Sequence, residues 1–465
     1  MSPTPDLTTL VKAYDVRGTD DQLTPPVARA LGAAIAEVLT LPGGGDGLVV
    51  GRDMRPSSPA IADAVADGAA SRGVDVVDIG LVSTDALTYA SGHLLRDGVM
   101  VTASHNPAGH NGLKVCRAGA VPVSLGSGLA AVRDRATRIL EDGLEPVATP
   151  GPRSTASIDD AYVAHLHAMV DTGALAPLHI AIDAGNGMAG RMAPLVFDGL
   201  PITVDELFFE LDGTFPNHPA NPLDEANLED LSRHVVAHGL PLGLAFDGDA
   251  DRVFVVDENG RPVASSLVGA VVAQRLLARN PGATVLHNVI CSRTVPEVIA
   301  AAGGTAVRTP VGHSIIKQRM ADTGAVFAVE HSGHYYFRAF HRADSGLAAA
   351  LVLLEVVSEE GAPLSAVLAP FERRVASGEI NFTVTDADEA IAAVEEEFGV
   401  SEASIDHLDG LTVDFPTAWC NLRASNTEPL LRLNVEGDDH ASMDDLRVRV
   451  QDVIAPFTAA ADAAT

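Results

Sequence analysis

Three short apolar runs, Val99 to Val101, Leu242 to Phe246 and Ala325 to Val329, each give way abruptly to a polar loop. The loops are Thr102-Ala103-Ser104-His105-Asn106-Pro107, Asp247-Gly248-Asp249-Ala250-Asp251-Arg252 and Glu330-His331-Ser332-Gly333-His334. Runs this short, bounded by turn formers, read as buried strands. Further strands, at Leu48 to Gly51, Val74 to Ile79, His179 to Ile182 and Thr284 to Val289, alternate with helices at Pro59 to Arg72, Asp159 to Val170 and Arg293 to Ala302. Another helix runs from Gly312-His313-Ser314 through Asp322. Such alternation predicts an α/β architecture. Ligands of open α/β sheets bind at the carboxyl ends of strands, so the three loops are expected to meet in one cleft.

From about Phe371 the pattern changes. Strands at Gly378 to Val384, Gly410 to Phe415, Trp419 to Arg423 and Leu430 to Val435, with helices at Ala387 to Phe398 and Met443 to Phe457, predict a small α+β domain. A length of 465 residues suits three or four domains at roughly 150 residues each. The Pro- and Gly-containing stretch Glu145 to Pro152 marks the first boundary, and the division is 1–150, 151–260, 261–373 and 374–465.

Each loop offers its own chemistry. Ser104 stands at a strand exit with His105 beside it and Lys114 a short loop away; such a serine can act as nucleophile or carry a phosphoryl group. The alternative is a plain polar turn opened by Asn106-Pro107. Asp247, Asp249 and Asp251 alternate, and on an extended loop three carboxylates on one side repel unless a cation sits among them. An all-oxygen set suits Mg²⁺ or Ca²⁺. A calcium EF-hand fails because its turn glycine is replaced by Arg252 and the flanks read as strands. Glu330 and Ser332 alternate as a carboxylate and a hydroxyl that can read neighbouring sugar hydroxyls, and His334 can serve as a general acid or base. Near the start, Tyr14-Asp15-Val16-Arg17-Gly18 carries an arginine on a strand entering a turn. Near the end, Arg423-Ala424-Ser425-Asn426-Thr427 assembles donors that suit a phosphate.

A formal charge of −31 argues against nucleic acid or an anionic membrane surface as partner, so any anionic substrate must be met by local cations. Only Lys12, Lys114 and Lys317 among the 31 basic residues are lysines. Cys116, Cys291 and Cys420 form no CxxC pair or even disulfide set. The amino terminus lacks a signal-peptide pattern, and no apolar run is long enough to cross a bilayer. The chain is therefore expected in the cytoplasm, as a monomer or homodimer.

Taken together and in this order, the five polar motifs resemble those of the α-D-phosphohexomutase family, and most nearly its bacterial phosphomannomutase/phosphoglucomutase branch. The resemblance implies three related α/β domains with mixed sheets and a C-terminal α+β domain resembling the TATA-binding-protein fold, around a central cleft. It implies a phosphoserine at Ser104, which with Asp247, Asp249 and Asp251 would hold Mg²⁺. Arg17, Lys114, Arg252 and His334 would surround the reacting oxygens. Glu330 and Ser332 would read the sugar, with Tyr14, His105 and His313 also binding substrate. Arg423, Ser425, Asn426 and Thr427 would hold the phosphate that is not transferred. The implied activity interconverts hexose 1-phosphate and hexose 6-phosphate, of mannose or glucose, through a hexose 1,6-bisphosphate intermediate that also acts as activator.

Two positions depart from that pattern: Val311 stands where relatives carry threonine, and Ile290 where they carry a lysine. His331 stands where phosphoglucosamine mutases carry glutamine, and when protonated it would repel an amino sugar. Phosphoglucosamine mutase is the rival within the family. A non-enzymatic protein that binds metal or sugar phosphate is the rival outside it, disfavoured by Ser104 because mere binding needs no phosphate acceptor.

Overall fold

The computed structural model describes residues 6–45, 47–145, 147–399, 401–424 and 430–458. Among these residues four sheets form, in chain order. The first runs Val16–Thr19, His110–Arg117, Asp97–Val101, Leu48–Arg52, Val76–Leu81, Arg153–Thr155. Its last four strands are parallel, whereas His110–Arg117 is antiparallel to both neighbours. The strand Arg153–Thr155 belongs to this sheet although it lies past residue 150. In the second sheet Leu242–Phe246, Leu178–Asp183 and Ile202–Leu207 are parallel, and Val253–Asp257 returns antiparallel beside Leu242–Phe246. The third repeats this arrangement, with Thr305–Thr309, Thr284–Asn288 and Phe327–Val329 parallel and Tyr335–Phe337 antiparallel.

All three polar loops are thus hairpin connections of one kind: a buried parallel strand delivers the loop, and an antiparallel strand carries the chain back. Full burial of Asp97–Val101, Leu242–Phe246 and Phe327–Val329 explains the unbroken apolar character of the last two and of Val99 to Val101 in the first. The fourth sheet is antiparallel throughout, in the order Val375–Thr383, Leu430–Gly437, Ala418–Ala424, Leu411–Asp414, Ser404–Asp406. Helices Ala387–Phe398 and His440–Ile454 accompany it. Asp439 caps the latter by accepting from Ser442 N at 2.8 Å, which starts that helix three residues before the expected Met443.

The strand expected at Val74 to Ile79 forms at Val76–Leu81, and Ile290 lies in a turn beyond Thr284–Asn288. Helices Thr84–Leu94, Ser265–Arg279 and Gly346–Glu360 were not foreseen. Most of their residues are buried, so the polar face that signals a surface helix is missing. No helix among the described residues is long and apolar enough to cross a membrane.

Candidate active site

Ser104 leaves its strand buried and in the left-handed region, with φ of 51°. Holding a non-glycine residue there costs on the order of 1–3 kcal/mol, so the surroundings must enforce it. Thr102 Oγ1 accepts from Ser104 N at 2.9 Å. From behind, the buried guanidinium of Arg55 donates to four carbonyls of the loop: Ser104 at 2.8 Å, Asn106 at 2.6 Å, Pro107 at 2.8 Å and His110 at 2.9 Å. Its charge is balanced by the equally buried Asp53 at 3.3 Å. The serine hydroxyl thereby faces the second loop, where Ser104 Oγ donates to Asp247 Oδ2 at 2.9 Å.

The two loops touch through their backbones, since a Cβ on Gly248 would lie 2.5 Å from the Ser104 carbonyl oxygen. Asp247, Asp249 and Asp251 do converge, but by a tight turn with Ala250 at φ 59° and not by the extended course expected. The turn Asp183-Ala184-Gly185-Asn186-Gly187 braces it, with Met188 N donating to Gly248 O at 2.9 Å. On another side Thr84 Oγ1 donates to Asp249 Oδ2 at 2.5 Å.

One carboxylate oxygen from each aspartate falls within 4.8 Å of the others. Asp249 Oδ1 and Asp251 Oδ1 are buried without a hydrogen-bond partner among the described residues, which is where a hard cation would fit. Lys114 Nζ lies 2.7 Å from Asp249 Oδ2 and 2.6 Å from Asp251 Oδ2. Burial works against the charge of Asp249, yet Lys114 outweighs it and holds that carboxyl below its ordinary range. Burial, only partly offset by Arg252, and the charges of Asp251 and Asp249 raise Asp247 to about 7. Arg252 binds Asp247 Oδ2 through Nε at 2.8 Å and also donates to His105 Nδ1. Burial first, then Arg252, keeps the His105 ring neutral, its pKa well below the ordinary histidine value. Arg17 holds Asp15 Oδ2 and Asn106 Oδ1, each at 2.6 Å.

The third loop closes the ring. His334 Nδ1 donates to Asp344 Oδ2 at 2.9 Å and lies 3.9 Å from Asp251 Oδ1, while Lys317 Nζ sits 2.7 Å from Asp344 Oδ1. Burial alone would make His334 less basic, but the Asp344 bond and the Asp251 charge raise its pKa. Burial, then Lys317, pushes His313 down to about 3. A cavity of about 100 Å³ is lined by Tyr14, Arg17, Ser104, Lys114, Arg252 and His334, with His105, His313 and Lys317 also in its wall.

Both oxygens of Glu330 are anchored by the protein: Oε2 accepts from Tyr336 Oη at 2.6 Å, and Oε1 from Gly312 N at 3.1 Å and Asn288 Nδ2 at 3.3 Å, which leaves Oε2 room for one further donor. His331 lines a larger cavity of about 790 Å³ that reaches Ile290, Glu379 and Trp419. The repulsion expected of a protonated His331 requires a charge that its surroundings disfavour. Burial, then Arg423 and Arg432, pushes its pKa down to about 3, so the ring is neutral near neutral pH. Ser332 is partly exposed at the tip of this loop. Arg423 is the penultimate residue of the strand Ala418–Ala424, and its charge is felt at Tyr14, whose hydroxyl is made less acidic by burial and by Asp409 and Glu330. Ser425, Asn426 and Thr427 lie outside the described residues.

Sequence reading missed Arg55, Thr84, Lys317 and Asp344. Arg55 carried a usable signal, because Arg52-Asp53-Met54-Arg55 follows the strand neighbouring that of Ser104 and so opens at the same sheet edge. Lys317 carried another, as one of three lysines in a strongly acidic chain.

The chain matches four family models: phosphoglucomutase/phosphomannomutase alpha/beta/alpha domain I over residues 8–139, domain II over 160–260, domain III over 265–374 and the C-terminal domain over 379–453. It is 40% identical over 445 residues to a protein of Xanthomonas campestris pv. campestris described as "Phosphohexose mutases", covering 95% of this chain and 97% of that one. To the phosphomannomutase/phosphoglucomutase of Pseudomonas aeruginosa it is 36% identical over 446 residues, 94% of each. Among solved structures, a phosphoglucomutase/phosphomannomutase family protein from Burkholderia thailandensis superposes with a TM-score of 0.86 at 31% identity, covering 97% of this chain and 98% of that one.

Proposed function

The chain belongs to the phosphoglucomutase/phosphomannomutase family, and from that premise we propose that it interconverts hexose 1-phosphates and hexose 6-phosphates by way of a phosphoserine at Ser104. The observation that carries this reading is the hydrogen bond from Ser104 Oγ to Asp247 Oδ2 at 2.9 Å, beside a cavity walled by Arg17, Lys114, Arg252 and His334. A buried serine aimed at a carboxylate cluster and ringed by cations suits phosphoryl transfer, which depends mainly on positioning and charge neutralisation.

Phosphorylated Ser104 gives its phosphoryl group to the free hydroxyl of a hexose monophosphate. The bond from serine oxygen to phosphorus breaks as that from sugar oxygen to phosphorus forms, the hydroxyl proton passes to His334, whose Nδ1 is already held by Asp344, and the released Ser104 oxygen takes up a proton from solvent. The hexose 1,6-bisphosphate turns round and returns its other phosphoryl group to Ser104. The same bisphosphate serves as activator by phosphorylating a bare serine. Arg17, Lys114 and Arg252 supply positive charge around the transferred group. Asp247, Asp249, Asp251 and the phosphate on Ser104 fit Mg²⁺, which when bound would offset the charge of the transferring phosphoryl group. Glu330 and Ser332 read the sugar, Tyr14, His105 and His313 complete its surroundings, and Arg423 with Ser425, Asn426 and Thr427 holds the idle phosphate.

Intact-mass analysis after incubation with glucose 1,6-bisphosphate tests the reading. One phosphate is expected on the wild type and none on Ser104→Ala, which folds but does not turn over. Full turnover by the alanine variant would overturn the proposal.

A further inference from the structure

On the second domain, away from the cleft, three histidines and an aspartate gather on one surface. His179 lies on Leu178–Asp183 and Asp205 on the adjacent parallel strand Ile202–Leu207. His234 and His238 lie four residues apart on the helix Glu229–His238, a spacing that puts both on one helix face. Their rings stack with centroids 4.0 Å apart. One ligand atom from each of Asp205, His234 and His238 falls within 4.8 Å of the others. None of these residues is among those lining the two cavities.

The hydrogen bonds prepare these groups for a metal. His238 Nδ1 lies 2.9 Å from the His234 carbonyl oxygen, so that nitrogen carries the proton and Nε2 presents a bare lone pair. A metal-binding histidine characteristically has its other nitrogen donating to a carbonyl in this way. His179 Nε2 donates to Asp205 Oδ1 at 2.7 Å, which orients the carboxylate and leaves Oδ2 for the helix. His234 Nε2 meets Asp205 Oδ2 at 2.8 Å; a cation between these two atoms requires that the imidazole proton move to Nδ1, that the pair open by a fraction of an ångström and that the stacked His234 and His238 rings turn toward it. Two imidazole nitrogens and a carboxylate oxygen, with a fourth position open to water, form a donor set for a borderline transition metal, unlike the all-oxygen cluster of the cleft.

We propose that Asp205, His234 and His238 bind Zn²⁺, with His179 as the outer partner of Asp205. The ion would tie the last turn of Glu229–His238 to the strand Ile202–Leu207.

The test is a titration of chelator-stripped full-length protein with Zn²⁺ under saturating Mg²⁺, comparing wild type with His238→Gln and Asp205→Asn. The wild type should take up one tight equivalent more than His238→Gln, and its melting temperature should rise with Zn²⁺ where that of the variant does not. Asp205→Asn should weaken the same equivalent by at least the ~10–100-fold that loss of a supporting outer hydrogen bond costs. Turnover of glucose 1-phosphate should be unchanged in His238→Gln. X-ray absorption of the loaded wild type should show imidazole nitrogen around zinc. Equal zinc uptake and affinity in wild type and His238→Gln would overturn the proposal, as would a zinc shell without imidazole.

Discussion

Arg55 Nη2 donates to the carbonyl oxygen of Ser104 at 2.8 Å, so the residue that fixes the proposed phosphate carrier comes from a neighbouring strand exit and never faces the cleft. The same guanidinium gathers the carbonyls of Asn106, Pro107 and His110, and Asp53 balances its charge. This clamp, together with Thr102 Oγ1 accepting from Ser104 N, opposes the strain of the left-handed backbone at Ser104.

Arg55→Lys keeps the charge but offers donors from a single atom, which cannot span four carbonyls. The expected outcome is a fall in kcat on the order of a hundredfold, as misplacement of a reacting group by about 1 Å produces. KM for glucose 1-phosphate should change little, because the sugar contacts lie elsewhere. Steady-state kinetics and the rate of Ser104 phosphorylation check this; a KM effect with intact kcat would contradict it.

The orphaned oxygens Asp249 Oδ1 and Asp251 Oδ1 lead to a prediction about metal. Chelator-treated protein should lose turnover and regain it with Mg²⁺. Asp251→Asn should weaken metal binding and slow transfer by at least about a hundredfold, since a metal supplies several kcal/mol of charge stabilisation. Glu396→Gln, at an exposed helix position, should do neither. Normal turnover without metal would remove the assignment.

Asp85 makes stability depend on pH. Its carboxylate is fully buried, and Oδ2 accepts from Tyr162 Oη at 2.7 Å and from Ser345 Oγ at 2.6 Å, while Ser83 donates to Oδ1. The group thus pins together segments of the first three domains. Burial, countered by the hydroxyl donors, raises its pKa from 3.8 to about 6. A raised carboxyl binds its proton more tightly when folded, so its contribution is full below pH 3.8 and is lost as pH rises through about 6. That loss is roughly 3 kcal/mol, from 1.36 kcal/mol per pKa unit. Asp85→Asn removes it, so the melting temperature of the variant relative to wild type should be higher at pH 7.5 than at pH 5, at constant Mg²⁺. A difference independent of pH would show that Asp85 does not titrate in this window.

The strands and loops were legible because burial on both faces makes a strand apolar from end to end and chemistry makes its loop polar, as in Leu242–Phe246 and Asp247 to Arg252. The helix Gly346–Glu360 was not, because burial on nearly all sides erases its period. Residues that bear the chemistry outwardly, such as Ser104 and His334, stood in recognisable motifs. Those that act through others did not: Asp344 orients His334 from a two-residue strand with no pattern of its own, and Arg55 acts on backbone carbonyls, which leave no mark in a sequence.

His331 decides what is expected of amino sugars. Asn288 Oδ1 accepts from Ile290 N at 3.2 Å and Cys291 N at 3.1 Å, which fixes the amide so that Nδ2 is the donor toward His331 Nδ1, 3.1 Å away. A ring that accepts at Nδ1 and is neutral carries its proton on Nε2. Glu379 Oε2 lies 4.0 Å from that nitrogen, while Oε1 of the same carboxylate is paired with Arg432 at 3.3 Å. His331 therefore presents an N–H donor, which suits a hydroxyl oxygen and does not suit the ammonium of glucosamine, so discrimination against that sugar is expected from unmatched donors and not from repulsion between charges. Glucose and mannose phosphates differ only at C2, so a site that grips hydroxyls the two sugars present alike, as proposed for Glu330 and Ser332, is expected to separate them poorly. Their specificity constants should fall within about a hundredfold of each other, at most roughly 3 kcal/mol of transition-state discrimination. Glucosamine 1-phosphate should be clearly poorer than both. His331→Gln, which offers a carbonyl acceptor, should narrow that gap while leaving turnover of mannose 1-phosphate within about tenfold. Competition kinetics with the three sugars measure all of this. A wild-type preference for glucosamine phosphate would move the chain to the phosphoglucosamine mutase reading, and a gap unchanged in His331→Gln would show that the histidine is not its source.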